Sequence, residues 1–172
     1  MPRSVFFLAL AAALLVPALS AQGPAQNAPT ALPACLPAAT VDQLSAALDD
    51  AISGPGDKDR TCLRQLVDPD VRMLLVSNET TRSMTLEGWI AAMERRGSTP
   101  LYERQVKVKA ETYGRIAHVW NTYEIRSTPD GKATSRGINS IQATFDGLRW
   151  RVIGVLWQAE TPDTPIPERY LP

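Results

Sequence analysis

Hydrophobic positions along the chain first recur at helical spacing and then switch to the period of strands. Val41, Leu44, Leu48 and Ile52 share one helical face behind Thr40, which with Gln43 can form a capping box, and Gly54-Pro55-Gly56 ends the run. Leu63, Leu66 and Val67 predict a second, short helix with these residues turned inward and Pro69 beyond its end. Residues 71–77 are apolar and β-prone, a first strand. Thr85 then stands where it can cap a third helix, with Leu86, Trp89, Ile90 and Met93 on one face and Gly97 just past the end.

From residue 102 onward the period is two. Residues 102–111 and 115–126 read as strands joined at Gly114, and Thr128-Pro129-Asp130-Gly131 marks the next turn. Residues 136–160 hold two β-branched and aromatic runs joined through Asp146-Gly147, a tight-hairpin signal. Four consecutive antiparallel strands make a meander, which about three helices can cover on its concave face. The expected class is α+β: a curved antiparallel sheet forming a cone, with a pocket at the open end. Pro162, Pro165, Pro167 and Pro172 predict an extended tail over residues 161–172, pinned by Tyr170 and Leu171.

The first residues change the setting. Arg3 precedes an apolar run over residues 5–16, then Pro17 and small residues through Ala21, the pattern of a signal peptide over residues 1–21. A membrane anchor needs about 20 apolar residues, and this run is shorter. The chain is thus expected to be secreted or periplasmic and off the membrane after cleavage. Residues 22–39, rich in Ala, Pro, Gln and Asn, read as a flexible linker, and residues 40–160 as the one folded domain. In an oxidising compartment Cys35 and Cys62, the only cysteines, are expected to pair. Eighteen basic residues balance eighteen acidic ones, which argues against a nucleic-acid partner. Arg104, Lys107 and Lys109 form a local basic row that reads as the solvent face of a strand.

Motifs for phosphate cradles, zinc proteases and serine nucleophiles are absent, so no metal and no cofactor are expected. His118 is the only histidine. It shares a strand face with Ile116, Trp120, Thr122 and Glu124, while Ala117, Val119, Asn121, Tyr123 and Ile125 share the other, and alternation assigns neither face to the interior. Aimed inward beside a carboxylate, His118 could act as a general base; otherwise it is a half-buried, hydrogen-bonded side chain. Asn139 and Ser140 fall on opposite faces, so one of them meets the pocket. Arg136 reads either as an anion-binding group or as a strand-end charge. The candidate pocket residues are Trp89, Ile90, Tyr123, Asn139 and Trp157, around a small apolar ligand. Apolar residues on both sheet faces predict a homodimer through the convex one.

The segments GRIAHVWNTYE, RGINSIQ and WQAETPDTPIPERYLP, together with the helix and strand order over residues 40–160, resemble the nuclear transport factor 2-like (SnoaL-like) superfamily, in a secreted bacterial branch. The resemblance implies the cone fold, which hosts enzymes and binding scaffolds alike. Ketosteroid isomerase-like members carry a tyrosine on the first helix, which TVDQLSAALDDAI lacks, and an acid on the sheet where this chain has Ile141 or Gln142. The Asp-Arg-Asp set of limonene epoxide hydrolase-like members has no match here. Of a scytalone dehydratase-like set only His118, Tyr123 and Glu124 offer an echo, and Tyr123 opposes the other two across the strand. The expected function is small-molecule binding or scaffolding; the rival is a cofactor-free lyase, isomerase or hydrolase using His118 as base.

Overall fold

A computed structural model describes residues 34–172. Its first helix, α1 (Val41–Ile52), begins as expected: Thr40 Oγ1 accepts from the Gln43 amide at 3.1 Å, while Gln43 Oε1 accepts from the Ala39 amide at 2.9 Å. Gly54 takes φ +121°, which lets the chain leave the helix and lay a two-residue strand, β1 (Gly54–Pro55), against the sheet edge. Arg60, only 2% exposed, donates to the carbonyls of Ala51, Ile52 and Pro55 and so satisfies the end of α1. The short α2 (Thr61–Leu66) runs straight into β2 (Val67–Val76). Val67, expected to end the helix, is therefore the first strand residue. β3 (Thr81–Met84), α3 (Leu86–Glu94) capped by Thr85, and β4 (Pro100–Tyr113) follow.

The meander is β4, β5 (Ile116–Arg126), β6 (Ala133–Phe145) and β7 (Trp150–Ala159), all antiparallel. At the tip of its last hairpin the Asp146 amide donates to the Arg149 carbonyl, and Gly147 sits first in the turn at φ +106°. Asp146 thus stands at the turn's entry, where its carboxylate accepts from the Leu148 and Arg149 amides.

The full sheet runs β1-β4-β5-β6-β7-β2-β3, and β2 pairs with β7 in parallel. The expected antiparallel meander is present, and β2 adds one parallel pairing at its β7 edge that the sequence did not predict. A parallel neighbour needs a crossover, which the helix α3 and the path into β4 supply. Register shifts interrupt the β2–β7, β4–β5, β5–β6 and β6–β7 ladders, and bulges of this kind bend a sheet. Into the concave side pack Leu44, Leu48, Leu63, Leu66, Leu86 and Ile90 from the helices, against Val119, Ile141 and Val152 from the strands.

Two segments beyond the main helices and strands are held more firmly than their composition suggests, and the first puts Ala38 into the core. Residues 34–39 fall in the Ala- and Pro-rich stretch, yet Cys35 bonds Cys62 across a Cα–Cα distance of 5.3 Å and the Ala38 carbonyl accepts from the Trp150 amide. The expected disulfide is present. The tail lies on the convex face: Ile166 is buried, Thr122 Oγ1 donates to the Tyr170 carbonyl, and the Tyr170 ring packs 5.8 Å from Trp120. It is not extended throughout, since the one-turn helix η1 (Glu168–Tyr170) closes it. The expected signal peptide over residues 1–21, and residues 22–33 of the expected linker, lie outside the described residues. Among the described residues no helix is long and apolar enough to cross a membrane.

Candidate functional site

The β5 register decides which side chains meet the interior. Ala117, Val119, Asn121 and Tyr123 pair with Ala143, Ile141, Asn139 and Gly137 and face the helices. His118, Trp120, Thr122 and Glu124 pair with Gln142, Ser140, Ile138 and Arg136 on the convex side. The sheet therefore separates His118 from the concave interior. Its Nε2 lies 3.1 Å from Ser140 Oγ, beside Lys109, Glu111, Trp120 and Tyr170 in a shallow depression.

Beneath the helices is a cavity of about 260 Å³. Most of its wall is aliphatic or aromatic, with Leu48, Met73, Leu86, Ile141, Val155 and Trp157 among the lining residues. Of the residues expected there, Trp89, Tyr123, Asn139 and Trp157 line it. Ile90 does not: it is 2% exposed and buried in the core on the same helix. Ser140 takes the convex face, so Asn139 is the polar β6 residue that meets the interior.

One end of the cavity is polar, and its chemistry comes mainly from β4. A bulge at Val106 pairs Gln105 with Tyr123 but Lys107 with Thr122, so the strand changes faces between them. Glu103 and Gln105 turn inward, and Arg104, Lys107 and Lys109 turn out. Asn139 Nδ2 donates both to Glu103 Oε1 (3.1 Å) and to Asn121 Oδ1 (3.2 Å). Ser53, just past α1, clasps the Glu103 backbone: its Oγ accepts from the Glu103 amide and donates to the Glu103 carbonyl. Asp49 on α1 accepts from both the Gln105 amide and Gln105 Nε2.

This setting perturbs three ionisable groups. Burial pushes the Glu103 carboxyl up to about 7; the Asn139 hydrogen bond works against the rise, and the neighbouring Asp49 charge adds to it. Glu103 keeps some accessible surface, but it lines the cavity rather than an open surface, so desolvation dominates. Asp49 is raised by burial as well, with the Gln105 hydrogen bonds in opposition. Burial and the nearby Glu103 carry the Tyr123 hydroxyl up to about 12, so it stays a neutral donor at ordinary pH. Glu103 is then a carboxyl able to exchange a proton near neutrality against a mostly apolar wall. Among the described residues no cluster of His, Cys, Asp and Glu is suited to a metal ion.

Sequence reasoning missed apolar cavity residues such as Leu48, Met73 and Val155, and the polar ones it missed are Glu103 and Gln105. In a regular strand they share a face with Lys107 and Lys109 and look solvated. The available signal was the basic row itself, because Arg104 and Lys107 are three residues apart and can share a face only across a bulge. Arg136 proves to be a structural charge: it pairs with Glu160, whose carboxylate also accepts from the Ile166 amide and holds the tail.

No protein-family model matches the chain, and no curated protein does. Solved structures do. An NTF2-like protein of unknown function from Silicibacter pomeroyi superposes with a TM-score of 0.51 at 16% identity, over 70% of this chain and 92% of that one. A protein of unknown function with a cystatin-like fold from Nostoc punctiforme gives 0.56 at 10% identity, over 71% and 90%. An NTF2-like protein of unknown function from Pseudomonas putida gives 0.51 at 12% identity, over 74% and 87%. At these identities the likeness concerns architecture, and with the curved mixed sheet and the three helices on its concave side it identifies the fold of this chain as that of the nuclear transport factor 2-like proteins.

Proposed function

We propose that this protein is an exported binding protein for a small, mostly apolar molecule, held in the cavity between helices and sheet. The observation that carries the reading is the cavity itself. Packed cores contain few voids larger than a water molecule, and this one has an apolar wall with polar groups gathered at one end. Its volume lies just under the ~300 Å³ at which pockets for drug-sized ligands begin, so the ligand is small. The disulfide is compatible with an oxidising compartment and with the signal-peptide pattern of residues 1–21.

Native mass spectrometry of the protein purified from its own compartment tests the reading. A retained small molecule is expected, lost in Val155→Trp, where the larger side chain fills the cavity. If the unsubstituted protein neither retains a molecule nor takes up apolar probes, the reading is wrong.

A catalytic reading, as a cofactor-free lyase, isomerase or hydrolase, has one specific observation in its favour: the Glu103 carboxyl poised near neutrality beside Tyr123. His118 cannot act as base on a ligand in this cavity, because it lies across the sheet. The homodimer also belongs to the proposal. Tyr113, Ile116 and Leu156 leave apolar surface on the convex side beyond the tail, and light scattering at micromolar concentration is expected to return twice the monomer mass.

A further inference from the structure

The charge and hydrogen-bonding character of the cavity is one-sided. Its lining includes no lysine, arginine or histidine. Glu103 uses one oxygen, Oε1, to accept from Asn139, and among the described residues nothing donates to Oε2. Gln105 Oε1 also lacks a donor but is fully buried and so beyond a ligand's reach, and the Gln105 amide nitrogen is spent on Ser45 and Asp49. Asn139 directs its own donors at Glu103 and Asn121. Among the described residues the Tyr123 hydroxyl and the indole N–H groups of Trp89 and Trp157 are the donors of the lining without a protein acceptor. The polar end thus presents the open oxygen of Glu103 and its negative charge, beside the Tyr123 hydroxyl, to whatever enters.

A carboxylate against a mostly apolar wall costs free energy unless a ligand supplies the missing donor and the opposite charge. An incoming carboxylate or phosphate would stack a second negative charge on Glu103 with no cation to offset it. An ammonium supplies up to three donors and the opposite charge. We infer that the cavity selects a protonated apolar amine, with its ring or alkyl body against Trp157, Ile141 and Val155 and its nitrogen at Glu103. This deepens the binding reading proposed above and rests on it.

The charged groups around Glu103 agree with this selection. Asp49 on α1 adds negative charge from the helix side. Tyr123 on β5 stays neutral, and Arg104, the adjacent β4 residue, faces the convex side. Arg60 lies over the Trp89 ring, 5.8 Å from its centroid, does not line the cavity, and is committed to the carbonyls that end α1.

The test measures, by calorimetry on the disulfide-bonded protein, the binding of 2-methylnaphthalene, 2-naphthylmethylamine and 2-naphthoate, which share one apolar body. At about pH 8 the amine is expected to bind at least about tenfold more tightly than the hydrocarbon, and the carboxylate about tenfold more weakly. Glu103→Gln should abolish the amine's advantage and leave the hydrocarbon within about threefold. A second measurement needs no substitution: amine affinity should fall about tenfold between about pH 8 and about pH 5.5 as Glu103 takes up its proton, while hydrocarbon affinity stays level. An amine that binds no better than the hydrocarbon, or whose affinity ignores pH, overturns the inference and leaves the apolar pocket standing. Failure of all three probes to bind removes the pocket reading as well.

Discussion

The Tyr123 ring lies across Gly137, its partner on β6, so closely that a methyl group at position 137 would stand 2.4 Å from the phenolic oxygen and 2.3 Å from the Gln158 carbonyl. Here the glycine is required for the space it leaves, since its backbone dihedrals are not in the left-handed region. That space lets a large aromatic lie along the sheet and present its hydroxyl to the cavity. Gly137→Ala is expected to displace Tyr123 and destabilise the fold by about 1–3 kcal/mol, the usual range for overpacking. Urea unfolding checks it; a variant as stable as the parent would mean that Tyr123 has another place to go.

Glu103 links the cavity to the pH dependence of stability. Its folded value of about 7 lies above the ordinary carboxylate range, so between about pH 4.5 and 7 the native state holds a proton that the unfolded chain releases. The stability this contributes is complete below the unfolded value and is lost as pH rises through the folded one. Asp49, raised in the same direction, adds to the trend. Stability should therefore fall by about 1–3 kcal/mol from about pH 4.5 to 8 on account of this group, and Glu103→Gln should flatten that part of the profile. Unfolding curves in which parent and variant run parallel across the window would refute it.

What could be read from the sequence, and what could not, divides along physical lines. Helix starts and stops were legible because capping residues and breakers act locally, as at Thr40, Thr85 and Gly97. The meander was legible because alternation and turn chemistry are local too. The parallel β2–β7 pairing, β1 and β3 were not, since each depends on what a distant segment offers as a neighbour. The interior face of β5 was hidden for a specific reason. The tail covers Trp120 and Thr122, so the convex face carries aromatic and buried residues as the concave one does.

The candidate site was half legible. Trp89, Tyr123, Asn139 and Trp157 announce themselves as large or polar residues within apolar patterns. Glu103 and Gln105 look solvated until the bulge at Val106 turns them round, and a one-residue shift of that kind reverses every side chain beyond it.

The Cys35–Cys62 bond closes a loop with a sequence separation of 27 and ties the segment before α1 to α2. In the chain-entropy account such a loop contributes about 3.5 kcal/mol. Reduction, or replacement of both cysteines by serine, should lower the unfolding free energy by roughly that amount and free residues 34–39 first. Hydrogen exchange can follow this at the Trp150 amide, which donates to the Ala38 carbonyl. Unchanged protection there after reduction would show that packing alone holds the segment.

His118 and Asn139 make a paired test, because one sits outside the sheet and the other inside it. His118→Ala removes a contact with Ser140 on the half-buried convex face, so it should cost no more than about 1 kcal/mol and leave apolar-probe affinity within about threefold. Asn139→Leu is nearly isosteric but withdraws the donor shared by Glu103 and Asn121, stranding two acceptors next to the cavity. It should cost about 1–3 kcal/mol and push the Glu103 carboxyl further up, because the hydrogen bond that opposes its rise is gone. The carbonyl stretch of the protonated carboxyl, followed by infrared titration, reports that shift directly. If the order were reversed, with His118→Ala the damaging change and Asn139→Leu silent, the assignment of the working face of the sheet would be wrong.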